Sequence, residues 1–291
     1  MSGFFHQVYK YEIINMPHVT VILPTWNRAK WLKKSVESVL SQTFQDFELI
    51  VVDDASTDST EEVLESYSGK IRTIFLPENL GVSAARNTAI VQSDSKWIAF
   101  LDSDDFWHTE KLEKQIKQTK IFPEYKIHFT DEIWIRNGIR VNPKNKHLKK
   151  EGWIFKPSLA LCLMAPSTVM LRRVLLERYG MFDEDLPVCE DYDLWLRLTA
   201  YNPVLLLNEK LMTRYGGHSD QLSKKLWGID RFRVQSLQKI LSQENLHPED
   251  RTAAIRMLKK KCEILIKGFR NRGSIKDVCV YQNIAQNFSD I

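Results

Sequence analysis

Apolar, β-branched runs alternate with amphipathic segments over the first 120 residues of the chain. Four runs predict strands, at 19–23, 47–52, 71–76 and 97–101. The segments that follow them have helical spacing, at 28–42, 59–68, 83–92 and 109–120. Strands and helices in strict alternation predict a parallel sheet with helices on its faces. Because such sheets bind ligands at the carboxyl ends of their strands, a functional site is expected at that edge.

The pattern changes after residue 122. Shorter strand-like runs lie at 126–130, 132–136, 139–141 and 167–171. Asn137 and Gly138 predict a hairpin turn between two of these runs, and the polar, basic stretch 143–152 predicts an exposed loop. Helical patterns occupy 173–180, 191–202, 226–243, 248–273 and 275–288. The chain is therefore expected to have an α/β fold with a mixed, mainly parallel sheet, flanked by helices.

Three regions follow from these patterns. Residues 1–16 form an N-terminal extension, residues 17–216 the α/β domain, and residues 217–291 a helical C-terminal extension. The chain has 291 residues and 43% apolar content, which is enough to bury a large core. No repeat or low-complexity tract interrupts it.

Charge is balanced overall but uneven along the chain. The 41 Lys and Arg and 37 Asp and Glu leave a net charge of +4, too small to indicate a nucleic-acid partner. From Gln221 onward the chain has 14 basic residues and 7 acidic ones. Any peripheral contact with an anionic membrane is therefore expected at the C-terminal end, although a charged run is more often a solvated face.

The N-terminal sequence and the cysteine spacing match no common targeting or metal-binding motif. The first 17 residues lack the features of a signal peptide, and no uncharged apolar run reaches the ~20 residues of a membrane-spanning helix. We therefore expect a cytoplasmic protein, peripheral at most to the inner face of the membrane. The four cysteines form no C-x-x-C pair, which argues against a zinc site or a disulfide framework.

Acidic residues directly follow two of the predicted strands. Asp53 and Asp54 end the second strand, and three of the four residues 102–105 after the fourth strand are Asp. Three carboxylates so close together repel one another unless a cation lies between them. A turn or helix cap needs only one carboxylate, whereas Asp102 and Asp104 can jointly hold a hard divalent cation with its phosphate ligands.

The glycine pattern limits the ways in which the chain could bind a phosphate. The chain has neither a G-x-G-x-x-G after the first strand nor a G-x-x-x-x-G-K-[ST] loop, so two common phosphate-binding motifs are absent. A phosphate at this edge would be neutralised by a metal ion and by arginine. Arg86, near the start of a predicted helix at the same edge, is the candidate; the alternative is a solvated helix residue.

Five short motifs occur in order along the chain: VILPTWNR, VVDDASTD, NLGVSAARN, FLDSDD and CEDYDLWLRL. In order and spacing they resemble inverting family 2 glycosyltransferases, which have the Rossmann-like nucleotide-diphospho-sugar transferase (GT-A) fold. The resemblance covers residues 17–220. It implies transfer of one sugar from a nucleotide-diphospho-sugar, with UDP favoured, to a hydroxyl of a glycan or lipid-linked acceptor in surface polysaccharide assembly. It also implies Mn²⁺ or Mg²⁺ as cofactor.

The resemblance implies a nucleotide pocket, position by position. Its residues would be Pro24, Thr25, Asn27, Arg28, Asp53, Asp54, Arg86, Asp102 and Ser103. Asp54, with Asp53 beside it, would accept hydrogen bonds from the base, and a carboxylate suits the imide N–H of uracil. Asp102 would face the ribose.

The remaining roles concern the metal and the reacting groups. Asp104 would hold the metal, and His218 is a second candidate ligand, with an ordinary histidine as the alternative. Asp191 matches the general base of the family, although an Asp there could equally cap the helix. The donor and acceptor side would include Asp105, Glu190 and Trp195.

Two other functions remain open at this point. A nucleotidyltransferase would have a Gly-rich, Arg-containing loop after the first strand, where this chain has PTWNR. A catalytically silent sugar-nucleotide binding module is disfavoured by the presence of Asp102, Asp104 and Asp191. The processive Q-x-x-R-W motif is missing, so addition of one sugar at a time is expected, and the sequence leaves the oligomeric state open.

Overall fold

The computed structural model describes residues 17–217 and 226–288. Its strands are β1 (Val19–Thr25), β2 (Phe47–Asp53), β3 (Arg72–Phe75), β4 (Trp97–Phe100), β5 (Phe106–Trp107), β6 (Ile127–Arg136), β7 (Ile139–Val141), β8 (Val169–Arg172) and β9 (Leu205–Gly216). Its helices are α1 (Ala29–Leu40), α2 (Thr60–Glu65), α3 (Val82–Val91), α4 (Lys111–Ile121), α5 (Phe155–Ser158), α6 (Arg173–Tyr179), α7 (Glu190–Thr199), α8 (Asp230–Leu241), α9 (Pro248–Arg270) and α10 (Ile275–Gln286). Short 3₁₀ turns occupy Asn145–His147 and Pro166–Thr168.

The described strands form one mixed sheet. Their order is β3-β2-β1-β4-β8-β6-β9-β5, and β7 pairs with β6. The first four are mutually parallel, as the alternating pattern predicts, and every residue of β1 is buried. Because β1 is covered on both faces, most of its side chains are apolar, and the buried hydroxyl of Thr20 lies within hydrogen-bond distance of Glu48 and Ser95.

The other half of the sheet mixes directions. β8 is antiparallel to β4 and β6, whereas β6 is parallel to β9. The two runs predicted at 126–130 and 132–136 are a single strand, whose register against β9 shifts around Asp131. The sequence patterns miss β9 and β5, because β9 has exposed polar residues in its middle and β5 has only two residues.

Helices cover both faces of the sheet, as expected. On one face α1, α2 and α4 contribute buried apolar side chains, including Leu32, Leu64 and Leu112. On the other face α3, α6 and α7 do so. Alternate strand residues supply the two clusters, which is the period-2 pattern of a sheet buried on both sides.

The C-terminal helices α8, α9 and α10 pack on one another and on α7. Their apolar cluster includes Tyr192 and Leu196 of α7. Buried Lys261 of α9 donates to Asp230 of α8 over 2.9 Å and to the carbonyl of Ala160 over 3.1 Å. The predicted helical extension is therefore present and fixed to the α/β region. Among the residues described, no helix is both long and apolar enough to span a bilayer.

Candidate active site

A cleft of ≈ 630 Å³ opens at the carboxyl ends of β1, β2 and β4. The predicted site residues that line it are Pro24, Thr25, Arg28, Asp54, Arg86, Asp102, Ser103, Asp104, Asp105, Glu190 and Asp191. Asn27, Asp53 and Trp195 do not line it. His218 lies outside the described residues. The far wall consists of the extended end of β6, with Glu132 and Trp134, and of Arg214 on β9.

Asp54 directly follows β2 and holds the loop that leads into α3. Its Oδ1 accepts from the backbone N–H of Leu80 over 2.7 Å, and its Oδ2 accepts from that of Gly81 over 2.8 Å. Gly81 has a φ of 94°, which glycine adopts without strain. Asp54 thus shapes the wall of the cleft at the start of α3.

Asp53 and Asn27 organise the loops behind this wall. Asp53 is buried and accepts hydrogen bonds from the backbone N–H and the hydroxyl of Ser56. Burial raises its pKa, and the bonds from Ser56 oppose that rise. Asn27, at a φ of 52°, accepts from the backbone N–H of Thr57 over 2.7 Å and of Asp58 over 3.2 Å. Both side chains therefore support the pocket from behind.

Arg86 is a buried cation that joins the end of β4 to the start of α7. Its Nη2 donates to Asp102 Oδ1 over 2.7 Å and its Nη1 to Glu190 Oε1 over 2.8 Å. Only 2% of the residue is exposed, so it is not a solvated helix residue. Burial by itself would lower the pKa of Arg86, but Asp102 and Glu190 raise it. The guanidinium therefore stays charged in the cleft wall.

Asp105 connects the acidic turn to two other elements. Its Oδ2 accepts from the hydroxyl of Ser167 over 2.7 Å, and its Oδ1 accepts from the backbone N–H of Tyr215 over 3.2 Å. Burial raises the pKa of Asp105 well above its usual value, and Asp104 and Asp102 raise it further. This side chain lies deep in the cleft and supports its floor.

Arg214 is a cleft residue to which the sequence analysis gave no role. Burial would lower its pKa, but Glu132, Asp105, Asp102 and Asp191 raise it, in that order. Together with Arg86, it supplies part of the positive charge that the acidic turn requires. Arg214 reaches the cleft because β9 pairs with β6, a pairing that the sequence patterns do not predict.

Lys149 corrects the expectation that 143–152 is simply an exposed loop. Its Nζ donates to buried Glu132 Oε1 over 2.7 Å and to the carbonyl of Leu163 over 2.9 Å. Burial would raise the pKa of Glu132, but Lys149 and Arg214 lower it. The loop thus places one lysine in the cleft, whereas most of its other residues are exposed.

Asp191 lies in the first turn of α7, where a carboxylate is favoured by the helix dipole. The cap position is Cys189, so Asp191 is not the N-cap residue that the alternative interpretation requires. Its Oδ1 accepts from the backbone N–H of Tyr192 over 2.6 Å. The thiol of Cys162 donates to its Oδ2 over 3.4 Å. The carboxylate is partly exposed in the cleft, within reach of a ligand.

Trp195 lies in the core, which corrects its expected place beside the donor or acceptor. It is 2% exposed and packs against Phe100 and Phe182. Its indole N–H donates to the carbonyl of Met164 over 2.9 Å. Because Trp195 is four residues after Asp191 on α7, its burial fixes the helix that carries the carboxylate.

The carboxylates of Asp102 and Asp104 suit a divalent cation. Mg²⁺ and similar ions are commonly bound by one or two protein carboxylates together with substrate phosphates. Within residues 17–217 and 226–288, no group of three or more His, Cys, Asp or Glu is arranged to hold a metal ion. A cation beside Asp102 and Asp104 would therefore need further ligands from outside this part of the protein, such as substrate phosphates.

Comparison with known proteins assigns the chain to a family. The family described as Glycosyl transferase family 2 matches residues 20–178. The putative teichuronic acid biosynthesis glycosyltransferase TuaG of Bacillus subtilis is 42% identical over 227 residues, covering 74% of this chain and 88% of TuaG. The Escherichia coli UDP-Glc:alpha-D-GlcNAc-diphosphoundecaprenol beta-1,3-glucosyltransferase WfaP is 30% identical over 215 residues, covering 72% and 80%.

Some relatives are much longer than this chain. An uncharacterized glycosyltransferase of Rickettsia felis is 32% identical over 208 residues, and the match covers 69% of this chain but only 33% of that protein.

Two solved structures share the fold. Staphylococcus aureus TarS 1–349 in complex with UDP-GlcNAc has a TM-score of 0.67 at 18% identity, covering 93% of this chain and 91% of that one. The mannosyltransferase PcManGT from Pyrobaculum calidifontis, in complex with GDP-Man and Mn²⁺, has a TM-score of 0.62 at 16% identity, covering 94% and 84%. These likenesses, with the mixed sheet and its flanking helices, confirm the predicted GT-A fold.

Proposed function

Because the chain belongs to glycosyl transferase family 2, we propose that it transfers a single sugar from a nucleotide-diphospho-sugar to an acceptor hydroxyl, with inversion at the anomeric carbon. One observation carries this proposal: Asp54, Asp104 and Asp191 lie far apart in the chain but line the same cleft. A nucleotide, a diphosphate and a reacting hydroxyl need these three carboxylates within one cavity.

The nucleotide is proposed to bind where Pro24, Thr25 and Arg28 meet Asp54. Both oxygens of Asp54 already accept a backbone N–H, but each has a second lone pair with which to accept one from uracil. The names of WfaP and of the TarS complex contain UDP-sugars, which supports UDP as the nucleotide. The complex of PcManGT contains GDP-Man, so the preference for UDP needs a direct comparison with GDP.

The diphosphate is proposed to lie beside Asp102 and Asp104. These residues would hold Mn²⁺ or Mg²⁺ jointly with the phosphates, and the ion would neutralise charge on the leaving diphosphate as a Lewis acid. Arg86 keeps Asp102 aligned through its 2.7 Å bond. A role for His218 as a further ligand stays a prediction. Arg214 would add positive charge on the opposite wall of the cleft.

Asp191 is proposed as the general base. It would accept the proton of the acceptor hydroxyl as that oxygen attacks the anomeric carbon from the face opposite the diphosphate. A single displacement of this kind inverts the configuration. The thiol of Cys162 and the backbone N–H of Tyr192 orient the carboxylate, while buried Trp195 fixes its helix. Glu190 would support the same wall, and Asp105 would support the floor of the cleft.

The acceptor is proposed to be a glycan or a lipid-linked glycan in surface polysaccharide assembly. The name of TuaG refers to teichuronic acid biosynthesis, and that of WfaP refers to a diphosphoundecaprenol-linked sugar. A cytoplasmic enzyme that works at the inner face of the membrane would have access to both nucleotide sugars and such acceptors.

The decisive experiment compares Asp191→Asn with the wild type in an assay of UDP release from UDP-sugars with Mn²⁺. We expect turnover to fall by about 10²- to 10⁴-fold because the base is lost, with UDP binding retained in calorimetry. Asp277→Asn is a matched control, since Asp277 lies in the first turn of α10, away from the cleft. Wild-type turnover in Asp191→Asn would refute the assignment of the base.

The same preparation separates the other functions. Pyrophosphate formation from a nucleoside triphosphate would indicate a nucleotidyltransferase. Tight binding of UDP-sugar without turnover, in the presence of candidate acceptors, would indicate a binding module. Calorimetry with UDP and GDP in parallel would show which base the pocket prefers.

A further inference from the structure

One rim of the cleft is formed by a segment that is both basic and apolar. This rim segment, residues 136–153, runs from the end of β6 through β7 and the 3₁₀ turn Asn145–His147 to Trp153. Arg136, His147 and Lys149 within it line the cleft. Its other long side chains are largely exposed.

Charge in the rim segment is concentrated and of one sign. Six of its residues are Lys or Arg, and Glu151 is the single acidic one. Five of the six basic side chains are exposed: Arg136, Arg140, Lys144, Lys146 and Lys150. Lys149 is partly buried and donates to Glu132, and Arg136 lies 5.4 Å from the ring centroid of Trp134. The exposed basic residues therefore have no local acidic partner in the segment apart from Glu151.

Large apolar side chains are exposed among these charges. Ile139 is 69% exposed, Leu148 58% and Trp153 66%. Isolated exposed apolar residues are normal, but three within one short, strongly basic segment suggest a surface that is covered during function. A bilayer interface offers both kinds of partner, since it binds aromatic and aliphatic side chains at its boundary and cations at its phosphates.

The rim segment is held in a defined position. Lys149 bonds to Glu132 and to the carbonyl of Leu163, and His147 packs edge-on against Trp134 with ring centroids 5.1 Å apart. Gly152 and Val204 exchange backbone hydrogen bonds of 2.8 and 2.9 Å. A surface anchored in this way can present its side chains to a membrane without first having to fold.

We propose that the rim segment docks the protein on the surface of an anionic bilayer, with Trp153 and Leu148 at the acyl boundary and the lysines and arginines at lipid phosphates. Because the same segment borders the cleft, docking would bring the mouth of the cleft to the membrane. This inference rests on the proposed function only for its consequence: a lipid-linked acceptor would enter the cleft from the bilayer.

The C-terminal extension is the competing surface, because the sequence analysis placed the charge excess there. Several of its cations are used internally: Lys261 pairs with Asp230, Arg251 donates to the carbonyls of Leu241 and Gln243, and Arg272 lies 3.8 Å from the ring centroid of Trp227. Acidic residues such as Glu263 also lie among the others. The rim segment places five exposed cations and three exposed apolar side chains at the mouth of the cleft, whereas no residue of α9 lines the cleft.

The test is co-sedimentation of the full chain with vesicles, made either of phosphatidylcholine alone or of equal parts phosphatidylcholine and phosphatidylglycerol. We expect binding only to the anionic vesicles, weakened by salt. The triple variant Lys144→Glu, Lys146→Glu, Lys150→Glu should weaken this binding by about a hundredfold. Trp153→Ala should weaken the part of the binding that salt does not remove.

A matched triple variant provides the control. Lys260→Glu, Lys267→Glu and Arg270→Glu make the same charge change at exposed positions of α9 and should leave vesicle binding unchanged. Loss of binding in this variant instead of the rim variant would overturn the proposal in favour of the C-terminal surface. Wild-type vesicle binding by the rim variant would also overturn the proposal. It would indicate that the rim segment contacts a protein and not a membrane.

Activity distinguishes this proposal from the proposed function. UDP release from a UDP-sugar in the absence of vesicles should be the same in the rim variant and the wild type, because none of the three lysines lines the cleft. Asp191→Asn should bind vesicles as the wild type does while losing turnover. Vesicle binding that persists without any transferase activity would refute the proposed function but not the docking surface.

Discussion

Two acidic clusters that look alike in the sequence are neutralised in different ways. The β2 cluster, Asp53 and Asp54, accepts backbone N–H groups and a serine hydroxyl from nearby loops. The β4 cluster is Asp102, Asp104 and Asp105. Arg86 donates to Asp102, and the charge of Arg214 opposes the rise in the pKa of Asp105, which also accepts from neutral donors. Both clusters follow buried parallel strands at one edge of the sheet.

The difference shows what each cluster can do. Carboxylates held by neutral backbone donors keep loops in place, and they remain satisfied whether or not a ligand is present. Carboxylates paired with arginines belong to a network of charges that an incoming diphosphate and cation would rearrange. The β4 cluster is accordingly the one expected to respond to substrate, and the β2 cluster the one expected to shape the pocket.

The largest effect should come from removing the cation of the β4 cluster. Arg86→Met keeps most of the volume of the side chain but leaves Glu190 buried and Asp102 partly buried without their partner. Because an uncompensated charge would remain in the wall, we expect the free energy of unfolding in urea to fall by about 3 to 5 kcal/mol.

The double variant Arg86→Met, Glu190→Gln should recover part of that loss, since it removes one of the two unpaired charges. Unfolding of Arg86→Met at the wild-type urea midpoint would mean that the β4 cluster is held by something other than this ion pair.

A smaller effect is expected in the β2 cluster. Asp54→Asn replaces one carboxylate oxygen with an N–H₂ group, so either Leu80 N–H or Gly81 N–H loses its acceptor. We expect a loss of about 1 to 3 kcal/mol in the free energy of unfolding, together with weaker UDP binding in calorimetry. If stability falls as far as in Arg86→Met, the proposed contrast between the clusters is wrong.

The smallest effect should depend on pH. Burial raises the folded-state pKa of Asp53 above its unfolded value of 3.8. Ionisation of this group therefore lowers the free energy of unfolding as pH rises from 3.8 through the folded-state pKa. Ser56→Ala removes the hydroxyl hydrogen bond that opposes the rise and keeps the backbone N–H bond, so the folded-state pKa should rise further.

The loss of stability in Ser56→Ala should therefore increase from pH 4 to neutral pH, reaching about 1 kcal/mol or somewhat more. Urea unfolding of both proteins across this range measures it. A loss that is constant with pH would show that the hydroxyl bond of Ser56 does not depend on the charge of Asp53.

Much of the fold was predictable because its signals are local. The parallel strands β1, β2 and β4 are largely buried and appear as mainly apolar runs. The turn at Asn137 and Gly138 has the positive φ values, 50° and 77°, that the residue types favour. β9 was missed because its middle is exposed and polar, so neither the alternating nor the continuous pattern of a strand is present.

The site was predictable only in part, because sequence signals are local and do not report contacts between residues distant in the chain. The sequence by itself determined that carboxylates follow buried parallel strands, which places them at one edge of the sheet whatever their partners are. Only the tertiary structure decided those partners: Arg86 meets Glu190 across 104 residues of chain, Lys149 turns into the cleft, and Trp195 turns into the core. Local patterns report which face of a strand or helix is buried, whereas pairing between charges distant in the chain depends on how the elements pack.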